Sequence, residues 1–537
     1  MVFGPGHGRA DRTNPSLDLL ATIGFLIHAP APRWVLVLNR NPRYLEPPTP
    51  HRGACATADS RRHANVKIIR LTLPAMACVL AMGGCAHYTS KPLVPTQTAA
   101  ALESRTLAAP ALRTFMEANL GHSLPEWPLK SWDLQSLTLA AFYYSPALDV
   151  ARAHWEAANA AAITAGARPN PTVSLLPDYS TNPPNEVSVW MPSIALDIPI
   201  ETAGKRTRRI AIAKQRAEAA RWNVITAAWQ VRRNLTEAVL DYAAARERER
   251  LLARALELQE LLVRLQEGER AAGAMAESDI AVARIQLAKT RLDLQATRAQ
   301  VTEARSRCAD ALGVPLQAFG EVQLDYGFDA VDTSALTSEE VRRQALQSRS
   351  DVVAALAEYE ATQAALQLEV AKQYPDVHLG PGYAWTEGEN MWSLGITVEL
   401  PVLNRNQGPI AEAAAHRTEA AVDFLALQAK VIREVDAAVA ALKLAEDASA
   451  AAERLLTAQR QSLQAIEAQH KAGAVGALEV ASAQIDAITA ESLAFEASVR
   501  LQQAVRTLED AVQRPLGGDA DAHAVVLQIE ATQRSPR

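Results

Sequence analysis

The sequence predicts a mixed α/β membrane protein, mainly long α-helical hairpins with four transmembrane β-strands per chain, built as a two-fold internal repeat. Three observations predict it. A shift of 200 residues lays one long segment on another: Gly273-Ala274 falls on Gly473-Ala474, Ile285 on Ile485, Asp310-Ala311 on Asp510-Ala511 and Pro315-Leu316 on Pro515-Leu516. From Lys205 to Arg270 no proline occurs, and apolar residues recur with heptad-like spacing at Val224, Ala228, Val231, Leu235, Ala238 and Tyr242. Finally, Trp392, Leu394, Ile396, Val398 and Leu400 alternate strictly with Ser393, Gly395, Thr397 and Glu399. That is the pattern of a tilted transmembrane strand, which needs about 9 to 11 residues; a half-buried strand of a soluble sheet shares it.

Only 5% of the 537 residues are aromatic, and the wealth of Ala, Leu, Glu, Arg and Gln suits long helices better than one thick core. Lys67 and Arg70, the apolar run Leu71 to Met82, and Gly83-Gly84 before Cys85 form the layout of a signal peptide ending in a lipobox. Its position predicts a true start at Val66. Residues 1–65 are then a non-native or disordered extension, 66–84 a lipoprotein signal peptide, Cys85 the lipidated first residue and 85–130 a polar tether. A chance apolar run is the alternative. The first 84 residues carry ten Lys/Arg against four Asp/Glu, so removing this +6 takes the net charge from −6 to −12. Such an acidic chain argues against a nucleic-acid partner. The four cysteines show no CxxC pair, so no thiolate metal site, and no cofactor, is expected; Cys308 reads as a small buried apolar residue.

The first repeat, 131–337 with an equatorial linker, opens at Trp132-Asp133-Leu134 with one helix to about Ala167, stopped by Pro169. Two extended stretches follow, roughly Thr172 to Leu176 and Val187 to Ile198, around the loop Asn182-Pro183-Pro184-Asn185. A helix from about Lys205 to Arg270 breaks at Gly273, and a second from about Glu277 to Leu312 stops at Gly313 and Pro315. The second repeat, 338–516, reads as a helix from about Glu339 to Lys372, then strands near Val377 to Trp385 and Trp392 to Leu400 around Glu387-Gly388-Glu389-Asn390. Helices of about Ile410 to Lys471 and Ala477 to Gln513 flank Gly473, before a tail of 517–537. At 1.5 Å per residue the first long helix spans roughly 98 Å. The returning helix and the helix opening the next repeat total about 105 Å, which predicts that those two stack end to end beside it. Four strands per chain cannot close a sheet, so several chains are required.

At the strand-to-helix corners stand Pro199-Ile200-Glu201-Thr202-Ala203-Gly204-Lys205-Arg206 and Leu400-Pro401-Val402-Leu403-Asn404-Arg405-Asn406-Gln407-Gly408. Proline ends a strand because it cannot donate a ladder hydrogen bond, and glycine permits a sharp reversal. These segments resemble the corner motifs of the TolC-type outer-membrane efflux protein family, most closely its CzcC-like heavy-metal efflux branch. Ala165 to Pro171 and Ala345 to Asp351 add to the resemblance, although the family usually has proline where Ser350 stands. It covers about Trp132 to Pro515.

The resemblance implies a homotrimer, with a trimeric 12-stranded β-barrel in the outer membrane continued by a periplasmic α-barrel. Pro199, Gly204, Pro401 and Gly408 then mark the barrel-helix corner, and Gly273, Ala274, Gly473 and Ala474 the periplasmic tips where an adaptor (membrane fusion) protein docks. Asp279 and Glu479 are candidate pore acids; ordinary exposed helix acids are the alternative. Lys205, Arg206, Arg208 and Arg209 would face the membrane's inner surface, or else form a solvated helix face. Trp190, Trp385 and Trp392 are candidates for an interfacial aromatic girdle or for packed core positions.

The function implied is a passive exit duct of a tripartite efflux system, not an enzyme. Its partners are an adaptor, an inner-membrane resistance-nodulation-division pump and outer-membrane lipid. By resemblance the cargo is heavy-metal cations; drugs or other organic compounds are the alternative. A periplasmic coiled-coil adaptor would have one hairpin flanked by soluble β-domains, whereas here two hairpins alternate with two strand pairs. The histidines are scattered, with neither HExxH nor a nucleophile elbow.

Overall fold

The computed structural model describes residues 88–182, 188–320, 322–328 and 338–516. The signal segment, Cys85, residues 183–187 of the first strand loop and the tail therefore lie outside the described residues. In chain order come α1 (Pro95–Glu103), α2 (Pro110–Leu120), β1 (Ser131–Trp132), α3 (Leu134–Tyr144), α4 (Pro146–Ala165), β2 (Thr172–Tyr179) and β3 (Trp190–Ile200). Next are α5 (Lys205–Ala271), α6 (Glu277–Leu312), β4 (Gln323–Leu324), α7 (Ser338–Ser348), α8 (Ser350–Ala371), β5 (Val377–Thr386), β6 (Glu389–Val398), α9 (Gln407–Lys471) and α10 (Ala477–Val512).

The long helices have no internal proline: α5 has none, and α9 has only Pro409 in its first turn, where a missing N–H costs nothing. Helix α5 has 67 residues and α9 has 65, about 100 Å each at the standard rise. Each turns back through a glycine in the left-handed region, Gly273 at φ +78° and Gly473 at φ +76°. Gly273 N–H donates to Arg270 O and Ala274 N–H to Glu269 O; Gly473 N–H donates to His470 O and Ala474 N–H to Gln469 O. Toward these turns the neighbours run α6, α5, α10, α9; toward the sheet they run α4, α5, α8, α9.

The helix predicted as single before the first strand is two. Ser145 caps α4, its Oγ accepting from Leu148 N–H, and Pro146 takes the first-turn position where a missing N–H costs nothing. The helix opening the second half also breaks, at Arg349. The end-to-end stacking differs from the expectation as well. The start of α4 abuts the end of α6, where Arg105 bridges Tyr144 O and Gly313 O. The start of α8 abuts the end of α10, where Arg349 donates to Ala511 O and Ser350 N–H to Gln513 Oε1. Each returning helix is thus continued by the first helix of its own half, not of the next.

The segment expected to be a polar tether is largely folded. Leu112, Phe115 and Met116 on α2, with Leu107 and Leu124, join the main core beside α3, α5 and α6. Trp127 Nε1 donates to Ala108 O and Tyr144 Oη to Thr106 O. A two-residue parallel pairing of β1 with β4 fastens both ends of the first half. A second core cluster lies where α7, α9 and α10 meet, around Val435 and Leu508.

The four longer strands form one antiparallel sheet in the order β2-β3-β5-β6. The β5–β6 loop is shorter than predicted, with Glu389 and Asn390 in the strand. Glu387 (φ 54°) and Gly388 (φ 87°) make a two-residue turn, both left-handed as tight hairpins require.

Candidate functional site

Cross-strand register sorts the sheet into two chemically distinct faces. One row reads Leu175, Ile194, Tyr383, Trp392 across all four strands, and the next Ser174, Ala195, Gly382, Ser393. Rows of the first kind continue with Ile198, Leu379 and Ile396; those of the second with Gly380 and Gly395. The apolar face is bare: Trp392 is 80% exposed, Leu394 71% and Leu175 69%. Its aromatic side chains meet in pairs, Tyr179 with Trp190 and Tyr383 with Trp392, at centroid distances of 5.0 and 4.9 Å. The opposite face carries a hydrogen-bonded pair, His378 Nδ1 and Asp197 Oδ2, 3.0 Å apart. Among the described residues, strands β2 and β6 each have a partner on one side only.

Below the sheet, the corner motifs are clamps. Lys205, only 7% exposed, donates to Asp376 Oδ1 at 2.8 Å, and Thr202 gives its N–H to the same oxygen and its hydroxyl to Pro375 O. Burial disfavours the Asp376 carboxylate, but Lys205 and the Thr202 N–H more than offset this and hold it below the usual carboxylate range. Arg206 donates to Gly166 O at 2.7 Å, Arg208 reaches Gln367 and Arg209 pairs with Glu201. These four cations are tied into the protein rather than forming a free solvated face. At the second corner Asn406, left-handed at φ 60°, donates from Nδ2 to Glu369 O and Glu369 Oε2. Gly204 sits in the same conformation ahead of α5, whereas Gly408 is inside the first turn of α9. Pro199 pairs with His378 within the sheet and Pro401 follows β6.

At the far end, Gly273-Ala274 and Gly473-Ala474 form two turns of one geometry. Asp279 and Glu479 occupy the same place in the first turns of α6 and α10, both exposed. Glu479 folds back over its own helix start, where a Cβ on Gly476 would meet its carboxylate at 2.9 Å. Among the described residues no three His, Cys, Asp or Glu side chains cluster as metal ligands, and no helix is long and apolar enough to cross a membrane.

Between sheet and tips lies a belt of buried polar contacts that sequence reasoning missed. Arg349, 5% exposed, joins Asp351, Glu434 and Ala511 O. Glu509, 2% exposed, lies 2.7 Å from Arg506 and 3.6 Å from Arg232. Asp510 accepts from Trp229 Nε1, and burial raises its pKa to about 6 despite Arg233 and the indole. Cys308 is buried as expected, its Sγ donating to Ala238 O at 3.1 Å, and burial pushes its thiol up to about 12.

Long helical hairpins running from an antiparallel sheet that is apolar on one face and small or polar on the other define the architecture of TolC-like outer-membrane channels. The chain belongs to the outer membrane efflux protein family, which matches it twice, over residues 141–314 and 341–512. Members of this family are channels, not enzymes. The cobalt-zinc-cadmium resistance protein CzcC of Cupriavidus metallidurans is 25% identical over 292 residues, 54% of this chain and 69% of that one. A membrane protein from Pseudomonas aeruginosa superposes with a TM-score of 0.58 at 21% identity, covering 71% of this chain and 92% of its own. CusC, described for its transmembrane channel formation, gives 0.56 at 18%, with 72% and 92% covered. The open state of the Neisseria gonorrhoeae MtrE outer membrane channel gives 0.57 at 19%, with 72% and 90% covered.

Proposed function

We propose that the protein is the outer-membrane exit duct of a tripartite efflux system, a homotrimer whose sheets close into one twelve-stranded barrel and whose helices continue it as a periplasmic tunnel. One observation carries this: a four-stranded sheet with a bare apolar face, a face of mainly small and polar residues interrupted by Leu176 and Met391 on the outer strands, and two open edges. An apolar band with aromatic side chains suits lipid, the small-residue face suits a water-filled lumen, and open edges pair only if other copies supply strands. The outermost helices support it, since α6 exposes Ile285 (71%) and Leu292 (66%) and α9 exposes Leu425 (61%) and Leu444 (71%). In this reading residues 131–337 and 338–516 are the two copies of one repeat.

The chain is an opening with no chemistry of its own. A periplasmic adaptor docks at the tips around Gly273 and Gly473, and an inner-membrane pump of the resistance-nodulation-division type does the work. Cys85 is the lipid-anchored residue, and Asp279 and Glu479 are the pore acids that favour cations. Heavy-metal cations are the proposed cargo, supported by the likeness to CzcC.

Two measurements test this. Light scattering and planar-bilayer conductance of the purified protein should report a trimer with a discrete, cation-preferring conductance; Asp279→Ala with Glu479→Ala should reduce that preference. Deletion of the gene should lower minimal inhibitory concentrations for zinc, cobalt or cadmium. A phenotype for drugs alone would transfer the duct to organic cargo.

A further inference from the structure

The two joints between a returning helix and the helix that continues it are finished differently. At the joint of α10 with α8, helix α5 supplies the cover: Trp229 Nε1 reaches Asp510 at 3.0 Å, Arg233 lies 4.0 Å from the same carboxylate, and Thr226 Oγ1 meets Ser350 Oγ at 2.8 Å. At the joint of α6 with α4, no further helix beyond α5 lies across among the described residues. A cleft of about 450 Å³ remains there, lined by Ser145, Pro146, Asn234, Glu237, Arg307 and Asp310.

The 200-residue shift that superimposes the halves carries Asp510 onto Asp310 and Arg233 onto Arg433. Both Asp310 and Arg433 are exposed, and neither has an ion-pair partner among the described residues. They cannot serve each other within one chain, because α5 and α10 stand between α6 and α9. Apolar residues follow the same rule: Ile225 of α5 is 4% exposed while its counterpart Leu425 is 61% exposed. Ile485 of α10, beside α5, is half-buried, while its counterpart Ile285 is 71% exposed. The surfaces that α5 and α10 hide against their neighbours are those that α9 and α6 leave bare.

We propose that a second copy of this chain closes the α6–α4 joint with its α9, Arg433 of the partner subunit pairing with Asp310 as Arg233 pairs with Asp510. The pairing rests on the homo-oligomer proposed above. The cleft presents Glu237 and Asp310, while its one cation, Arg307, is already engaged by Asp241 at 2.8 Å. An incoming guanidinium therefore meets unbalanced negative charge. Ala429 stands where α5 has Trp229, so no indole competes for the Asp310 carboxylate.

The test introduces Asp310→Cys and Arg433→Cys together in the full chain, purified in detergent and treated with a short homobifunctional maleimide. Cys308 is buried with a raised thiol pKa and stays silent, and Cys55, Cys78 and Cys85 are replaced by serine in every variant. A covalent ladder at dimer and trimer mass, absent from either single variant, is expected. Products at monomer mass only, from protein that light scattering shows to be trimeric, would overturn the pairing and leave the trimer standing. Monomeric protein in light scattering would overturn both. A charge exchange gives a second measure: Asp310→Arg should weaken assembly at least several-fold, and adding Arg433→Asp should restore it, whereas failure to restore contradicts the pairing.

Discussion

The hairpin α5/α6 and the hairpin α9/α10 turn through the same backbone geometry, yet different forces hold them. The first is laced along its length by five cross-helix ion pairs: Arg270–Glu277, Arg284–Glu267, Arg291–Glu260, Arg298–Glu249 and Arg307–Asp241. Arg284, Arg291 and Arg298 lie seven residues apart, the spacing that keeps flanking charges beside a helical seam. Between α9 and α10 the seam toward the tip is instead a small cluster of Leu456, Ala490 and Ala494. The comparison teaches that the turn and the proline-free spacing dictate the hairpin, while the seam can be closed by charge or by small apolar contacts.

The largest test of this difference removes the one bulky side chain in that cluster. Leu456→Ala should destabilise the α9/α10 hairpin by about 2 to 4 kcal/mol, seen as faster amide exchange over residues 445–500 with little change in α5/α6. Equal acceleration in both hairpins would mean that they unfold as one unit.

Next in size is the seam between the hairpins, where Asp510 faces α5. Its folded-state pKa of about 6 exceeds the ordinary 3.8, so its contribution is present below pH 4 and is lost as pH rises through 6. Asp510→Asn should therefore raise Tm at pH 7.5 relative to the parent and narrow that gain at pH 4. A gain independent of pH would rule out ionisation as the cause.

The turns themselves should not distinguish the hairpins. Gly273→Ala and Gly473→Ala each place a Cβ in the left-handed region with no neighbour within 4 Å. Each should cost about 1 kcal/mol, and unequal losses in chemical denaturation would show that one turn bears a load that the other does not.

The smallest effect belongs to the ion pairs. Arg284→Gln releases Glu267 and Glu277, and because exposed pairs are weak it should change exchange only slightly, in α5/α6 alone, and no longer respond to added salt. The Arg270 and Arg284 guanidiniums hold Glu277 below its usual range, so the lacing should persist above pH 4.5 and fail as pH falls through that lowered value.

The helices and their turns were legible in the sequence because local chemistry specifies them: α6 spans the predicted Glu277 to Leu312, bounded by the turn after Gly273 and by Gly313. The alternation in β6 likewise separated Trp392 from Ser393 before any register was known. The clamps at the corners were not legible because the partner of Lys205 is Asp376, 171 positions away, and a cationic run beside a strand end looks the same whether clamped or solvated. The helix break at Arg349 comes from tertiary pairing with Glu434 and Ala511 O, for which no local signal exists. The break at Pro146 and the docking of α2 did have signals: a proline after a capping serine, and apolar residues at 112, 115 and 116.

Gly313 and Gln513 end the two returning helices, both left-handed, and they are no longer interchangeable. A side chain at 313 would meet Tyr144 O at 3.0 Å, while at 513 the amide accepts from both Ser350 N–H and Ser350 Oγ. Glutamine transplanted to 313 crowds the Tyr144 carbonyl, and glycine transplanted to 513 leaves the buried Ser350 N–H without its acceptor while the Ser350 hydroxyl keeps Thr226. The two halves follow the same course but are fitted at this joint by different parts, so neither residue can be exchanged for its counterpart without refitting the helix that abuts it.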